Sequence, residues 1–535
     1  MSRTKWLLLA LVGVLILALA TGCGGDKKDA AGAKYIRYVV GAEPETLDPR
    51  KMSGVPEHRT ACQLFEGLTT HGADGTIMPG VAEKWTVSPD GRVYTFTIRA
   101  NAKWSNGDPV TAQDFEYTWK KTLDPDFGAK YAEMLYFIAG AEDYNTKKAP
   151  ADKVGIKSIN DKTLEVTLAE PAPFFPSVLV HSAFFPVNKK VDESNPKWVN
   201  DPAAFVGNGP FKMVSWTHQS KIEMVKNPNY WDAANVKMEK LDILLTDNDS
   251  TAVSMFESGQ ADMLLDNIPP VDRKRLLKEG KIKTLPYLSS AYYSFNVQKA
   301  PFDNEKVRRA FSLAIDREAI VKNLDLGQTP AYAFAPFGLP DAEKGSDFRK
   351  VGGDYFKADP AQAKKLLAEA GYPDGKGLPP VTLIYNTNEM HKAIAEMIQE
   401  MWRKNLGVEV KLENQEWKVF LNNRQKGNYQ VARHGWTGDY EDTFTFLSLF
   451  TSTSGNNDPQ YKNPDYDKMV AKSYTIQDPK ERMKLFHEME KKIVQDDVIM
   501  APLFFAPQYL LQKPNVKGVI NSSVGAVYFK YATIE

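Results

Sequence analysis

Cysteine is nearly absent from this chain of 535 residues, with two, Cys23 and Cys62. Two thiols cannot build a Cys₄ zinc site, and a disulfide between them would tie an N-terminal tail to a domain. Excess charge of either sign is missing too: Lys+Arg and Asp+Glu both number 67. That balance lacks the basic excess or stripe expected of a nucleic-acid binder. The seven histidines never pair at metal-ligand spacing, and no Gly-x-Ser-x-Gly elbow or P-loop occurs. His487-Glu488 continues as Met489-Glu490-Lys491 instead of reaching a second histidine, and Gly375-Lys376 is followed by Gly377 where a P-loop needs Ser or Thr. Internal repeats are missing as well. The chain is therefore not expected to be an enzyme or to hold a metal or cofactor, although carboxylate pairs from distant segments would leave no local signature. What is present, 43% hydrophobic and 25% charged residues, is the composition of a globular protein long enough for two to four domains.

Residues 1–22 read as an address. Arg3 and Lys5 precede an apolar run from Trp6 to Ala20, and Ala20-Thr21-Gly22-Cys23 supplies small residues for cleavage. The run is short for a membrane span. A plain secretory signal needs no cysteine there, so the stretch resembles a bacterial lipobox, with Ala20 where Leu is commoner. That resemblance implies lipidation of Cys23, and residues 23–34 read as the lipidated cysteine and a flexible tether. An uncleaved anchor is the competing reading. The body is expected to be soluble and held at the outer face of a membrane.

The mature chain mixes strand and helix signals. Tyr35 to Val40 reads as a strand, and Pro89-Asp90-Gly91 turns into a strand with Tyr94, Phe96 and Ile98 inward. Lys157 to Leu168 is a hairpin around Asn160-Asp161. Asp359-Pro360 opens a helix that Gly371 stops. Glu389 to Leu406 places Ile394, Met397, Ile398, Met401 and Trp402 on one helical face before Gly407. With Leu383 before it and Val408, Val410 and Leu412 after it, in a strand ending near Trp417, this is a βαβ unit and implies a parallel sheet.

One ordered series of motifs then narrows the function. Glu66-Gly67-Leu68, Gly75-Thr76-Ile77-Met78-Pro79, Ala82-Glu83-Lys84-Trp85, Lys103-Trp104-Ser105-Asn106-Gly107, Asn208-Gly209-Pro210-Phe211, Asn227-Pro228-x-Tyr230-Trp231 and Asn414-Gln415-Glu416-Trp417 run along the chain. The series resembles the extracytoplasmic solute-binding proteins that serve ABC importers of peptides, dipeptides, nickel and some sugars. Val431-Ala432-Arg433-x-Gly435-Trp436-x-x-Asp439-Tyr440 is most similar to their oligopeptide-binding branch, of family 5 type. The resemblance implies an α/β, two-lobed Venus-flytrap fold with a hinge and an inserted domain. Residues 35–78, 188–288 and 507–535 would form one lobe, 79–187 the insert, and 289–506 the opposing lobe with most of the ligand-binding charges.

It also implies a set of ligand-binding residues. Asp439 matches the aspartate that holds a peptide's α-ammonium, and Arg433, Arg424 and His391 match the basic residues that meet its carboxylate. A buried unpaired ion costs several kcal/mol, so each ligand terminus needs such a partner. Trp436, Trp417, Tyr287, Tyr292 and Tyr136 are the matched aromatic candidates, with Gly435 on the same strand. Core packing suits Tyr136 equally well, and Glu66 fits a structural acid almost as well as a ligand contact. Strand alternation turns His434 away from the face of Arg433.

Three departures from the branch bear on the ligand. Ser289 and Thr437 stand where close members carry a disulfide, which leaves Cys62 as a small buried hydrophobe. Ser294 replaces a cleft glutamate, and Asp325 replaces a lysine that helps meet dipeptide carboxylates. The expected ligand is a short peptide of about two to five residues, delivered by a monomer to an ABC permease. A murein tripeptide binder or a peptide-signal receptor on the same fold is the alternative.

Overall fold

A computed structural model describes residues 34–476 and 478–535. Residues 1–33, which include the expected signal segment and Cys23, lie outside the described residues. Helix Glu389–Leu406 forms over the span that its apolar spacing predicts. The Asn388 side chain caps it by accepting from the His391 N–H at 3.0 Å, and Gly407 leaves it at φ 69°. The strands on either side, Val381–Asn386 and Val410–Gln415, pair in parallel. Asp359 caps helix Pro360–Glu369 in the same manner. Trp417 is a correction: the strand stops at Gln415, because the Glu416 carboxylate accepts from the Lys418 and Val419 N–H groups and starts helix Trp417–Gln425.

Two large sheets carry two lobes. The seven-stranded sheet runs in the order Ile282–Leu285, Gln508–Gln512, Met263–Leu265, Tyr35–Val39, Lys240–Leu244, Lys221–Lys226 and Phe211–Thr217. The six-stranded sheet holds Ser289–Phe295 between Val431–Thr437 and Met500–Phe505, with Val381–Asn386 next beyond Val431–Thr437. A separate four-stranded sheet contains Val93–Ile98, whose Tyr94, Phe96 and Ile98 are buried, and the hairpin Ile156–Asn160 with Thr163–Thr167.

The chain crosses between the large sheets at 286–288 and again at 506–507, where a strand of one sheet runs almost directly into a strand of the other. Two such short crossings form a hinge, since so few residues can change φ and ψ without disturbing either sheet. Tyr287, Ala506 and Pro507 at these crossings line the space between the lobes.

Candidate functional site

That space is a cavity of about 310 Å³, within the range of specific small-ligand sites. Strand Val431–Thr437 and the turn after it form one wall, and nine of the sequence candidates line the cavity: Asp439, Arg433, Arg424, His391, Trp436, Trp417, Gly435, Tyr287 and Tyr292. Over the four steps from Arg433 to Thr437 the strand rises about 13 Å. A tripeptide spans about 10 Å when extended.

Asp439 is held from several sides. The Thr445 hydroxyl donates to its Oδ2 at 2.9 Å, the Tyr131 hydroxyl donates to Oδ1 at 3.4 Å, and His181 Nε2 lies 3.3 Å from Oδ1. No Lys or Arg forms an ion pair with it among the described residues. Arg433 likewise has no acidic partner among the described residues, and burial beside Arg424 lowers its guanidinium to about 10, still cationic at neutral pH. The two groups are opposite charges facing one cavity, each without a Lys, Arg, Asp or Glu ion-pair partner among the described residues.

The other candidate cations differ. Arg424 Nε donates to Asp458 Oδ2 at 2.9 Å, so its charge is already matched. Burial raises the Asp458 carboxyl, but Arg424 and His434 outweigh it and hold it below the usual range. His391 lines the cavity but is pushed well below 6.5 by burial and by Arg433 and Arg273 nearby. It is therefore a neutral hydrogen-bonding group at neutral pH instead of the cation that the resemblance implied.

His434 is a second correction. It lines the cavity along with Arg433, stacks on Tyr292 at 4.6 Å between centroids, and sets Nε2 2.9 Å from Asp458 Oδ2. Alternation still turns the two side chains apart, but both residues border the cavity.

Three candidates lie outside the cavity lining. The Glu66 carboxylate accepts from the Tyr230 hydroxyl and from Trp231 Nε1 at 2.5 Å. The Tyr136 hydroxyl donates to Asn145 Oδ1 at 2.6 Å. Ser294 is buried with its hydroxyl 3.0 Å from that of Tyr429. Each is turned toward its own lobe by these partners. Asp325 is exposed, 3.3 Å from Lys274. Ser289 and Thr437 are directly paired across two strands, their hydroxyls 3.4 Å apart. Cys62 is buried as expected, and burial pushes its thiol up to about 12, which makes it inert.

Sequence reasoning missed the other wall. Arg59, Asp266, Arg273, Tyr131 and His181 all line the cavity, and none stands in a local pattern that marks a site. Direct hydrogen bonds across the cleft hold the lobes together. Trp417 Nε1 donates to Glu57 Oε1 at 3.2 Å, Asn388 Nδ2 to Asp249 Oδ2 at 2.8 Å, and the Ser250 hydroxyl to Glu389 Oε1 at 2.7 Å. Burial lifts the Glu57 carboxyl to about 7, and its Oε2 has no hydrogen-bond partner among the described residues.

Comparison with known proteins adds the following. The model of the bacterial extracellular solute-binding proteins, family 5 middle, matches residues 76–458. The oligopeptide-binding protein OppA of Bacillus subtilis is 39% identical over 99% of each chain. The structure of the Escherichia coli murein tripeptide binding protein MppA superposes with a TM-score of 0.87 at 36% identity, over 94% of this chain and 99% of that one. The unliganded open form of MppA gives a TM-score of 0.60 over 94% of this chain and 98% of that one, at 36% identity. The lobes described above thus have a closed arrangement, in accord with the bonds that join them.

Proposed function

Since this chain belongs to the family 5 bacterial extracellular solute-binding proteins, we propose that it captures short peptides between its lobes and presents them to an ABC importer. The observation that carries this reading is the interlobe cavity with Asp439 and Arg433, neither of which has a Lys, Arg, Asp or Glu ion-pair partner among the described residues. A peptide zwitterion brings the two missing charges, and the large cost of leaving either group unpaired on closure becomes the source of selectivity. Asp439 takes the α-ammonium and Arg433 the carboxylate, while His391 adds a neutral hydrogen bond. Trp436, Trp417, Tyr287 and Tyr292 wall the side chains, and Gly435 keeps the ligand-facing strand open.

Closure around the ligand is the signal that a permease can read. The same reading assigns residues 35–78, 188–288 and 507–535 to one lobe, 79–187 to the insert and 289–506 to the opposing lobe. It also makes the mature protein a monomer tethered by lipid on Cys23 to the outer face of the membrane. More than one acyl chain is needed for durable anchoring. A cell-wall tripeptide, with more carboxylates than an ordinary peptide, is the second reading, and the surplus of arginine over acid in the cavity lining favours it.

Calorimetry with a free and an N-acetylated tripeptide tests the reading. The free peptide should bind and the acetylated one should lose two or more orders of magnitude. Equal binding of the two would remove the ammonium anchor, and with it the peptide assignment.

A further inference from the structure

Four arginines line the cavity: Arg59, Arg273, Arg424 and Arg433. Two are matched by acids within the protein. Arg59 Nη2 donates to Asp266 Oδ2 at 3.0 Å, and Arg424 Nε to Asp458 Oδ2 at 2.9 Å. The other two, Arg433 on one lobe and Arg273 on the other, form no ion pair among the described residues.

Arg273 projects from helix Pro270–Lys278 and is 2% exposed. Its Nε and Nη2 donate to the Ile268 and Asp266 carbonyls at 2.8 and 3.0 Å, and its guanidinium lies 4.2 Å from the Tyr509 ring centroid. These contacts fix its orientation without cancelling its charge. The nearby acids are engaged elsewhere. Asp266 holds Arg59 and accepts from the Tyr509 N–H. Asp249 accepts from Asn388 and Asn267 and does not line the cavity; burial raises its carboxyl to about 6 against the opposing pull of Arg273, with which it forms no ion pair. Arg433, Arg273 and His391, the last in the N-terminal turn of helix Glu389–Leu406, line the same cavity, and both guanidiniums add to burial in disfavouring a charge on the His391 ring. Against them, among the described residues of the lining, stands one carboxylate without a Lys or Arg partner, Asp439.

The complement of this lining is one ammonium and two anionic groups. Resting on the peptide reading, we propose that the preferred ligand is a peptide with one more carboxylate than a neutral zwitterion, carried near its C-terminus, and that Arg273 is the residue that selects it. A peptide with a single carboxylate leaves one buried guanidinium uncompensated in the closed protein. An acidic C-terminal residue supplies a carboxylate to each lobe, so it also draws the lobes together across the cleft. Arg424, already bound to Asp458, contributes less to this preference.

The test compares Ala-Ala-Asp with its neutral isostere Ala-Ala-Asn by calorimetry at neutral pH. Wild type should bind the aspartyl peptide more tightly by on the order of 10- to 100-fold, the contribution of one charge-assisted hydrogen bond. Arg273→Gln should reduce that ratio to within about threefold, with Ala-Ala-Asn bound at least as tightly as by wild type because no guanidinium is then left uncompensated, and an unaltered cooperative thermal transition shows that the variant is folded. Arg273→Lys should retain the preference. Equal binding of the two peptides by wild type, or a preference that survives in Arg273→Gln, overturns the assignment and leaves peptide binding standing. If wild type binds neither peptide, the peptide reading itself falls and this inference falls with it.

Discussion

Glu57 is expected to make the stability of the folded protein dependent on pH. It sits in the first turn of helix Val55–Leu64, fully buried, where Oε1 accepts from the Glu45 N–H at 2.7 Å and from Trp417 Nε1 at 3.2 Å. Burial is the main cause of its rise from 4.5 to about 7, and Glu45 adds to it, while the hydrogen bonds oppose it. Glu45 itself faces Lys130 at 3.1 Å and Asn422 at 3.3 Å. Unfolding releases the proton near 4.5, whereas the folded protein holds it to about 7. Between those values the folded state binds more protons, so stability is highest at the acid end and falls as pH rises through the window.

A rise from 4.5 to about 7 corresponds to about 3 kcal/mol at 1.36 kcal/mol per unit, on the order of a large single-residue effect. Glu57→Gln keeps the Oε1 acceptor and removes the charge. It should have little effect on thermal stability at pH 5 and raise it at pH 8, by up to about 3 kcal/mol. The assay is thermal unfolding of wild type and variant across that range, read as a difference so that other buried acids such as Glu133 cancel. A difference between the two proteins that does not change with pH would refute the reasoning.

Other substitutions test other parts of the cleft. Asp439→Ala should weaken every short peptide by roughly two to four orders of magnitude, from the ~3–5 kcal/mol cost of leaving a buried charge without its partner; calorimetry that finds an unchanged affinity would exclude it as the anchor. A Cβ at Gly54 would meet Glu57 Oε2 at 2.1 Å and the Trp417 ring at 2.9 Å, so Gly54→Ala should shift the protein toward the open form, measured as a larger radius of gyration in solution scattering with peptide present. Cys23→Ser should move the protein from the membrane to the soluble fraction with peptide affinity intact; retention at the membrane would reject the lipid anchor.

The sequence by itself determined the elements whose causes lie within a few residues. Asn388, Gly407 and the apolar spacing between them specify helix Glu389–Leu406, and Asn160-Asp161 turns its hairpin, because caps, periodicity and turns are local physics. The linked motifs also place Arg433, Gly435, Trp436 and Asp439 together, since one strand and its turn carry all four. Only the tertiary structure decided which charges remain for a ligand. Asp458 neutralises Arg424 from 34 residues away, and Asp266 neutralises Arg59 from 207. Arg273 reaches the cleft from the lobe opposite Arg433, His391 loses its charge to burial near both, and Glu57 meets Trp417 across 360 residues. Desolvation and ion pairing depend on which distant segments converge, and no local pattern in those segments encodes that convergence.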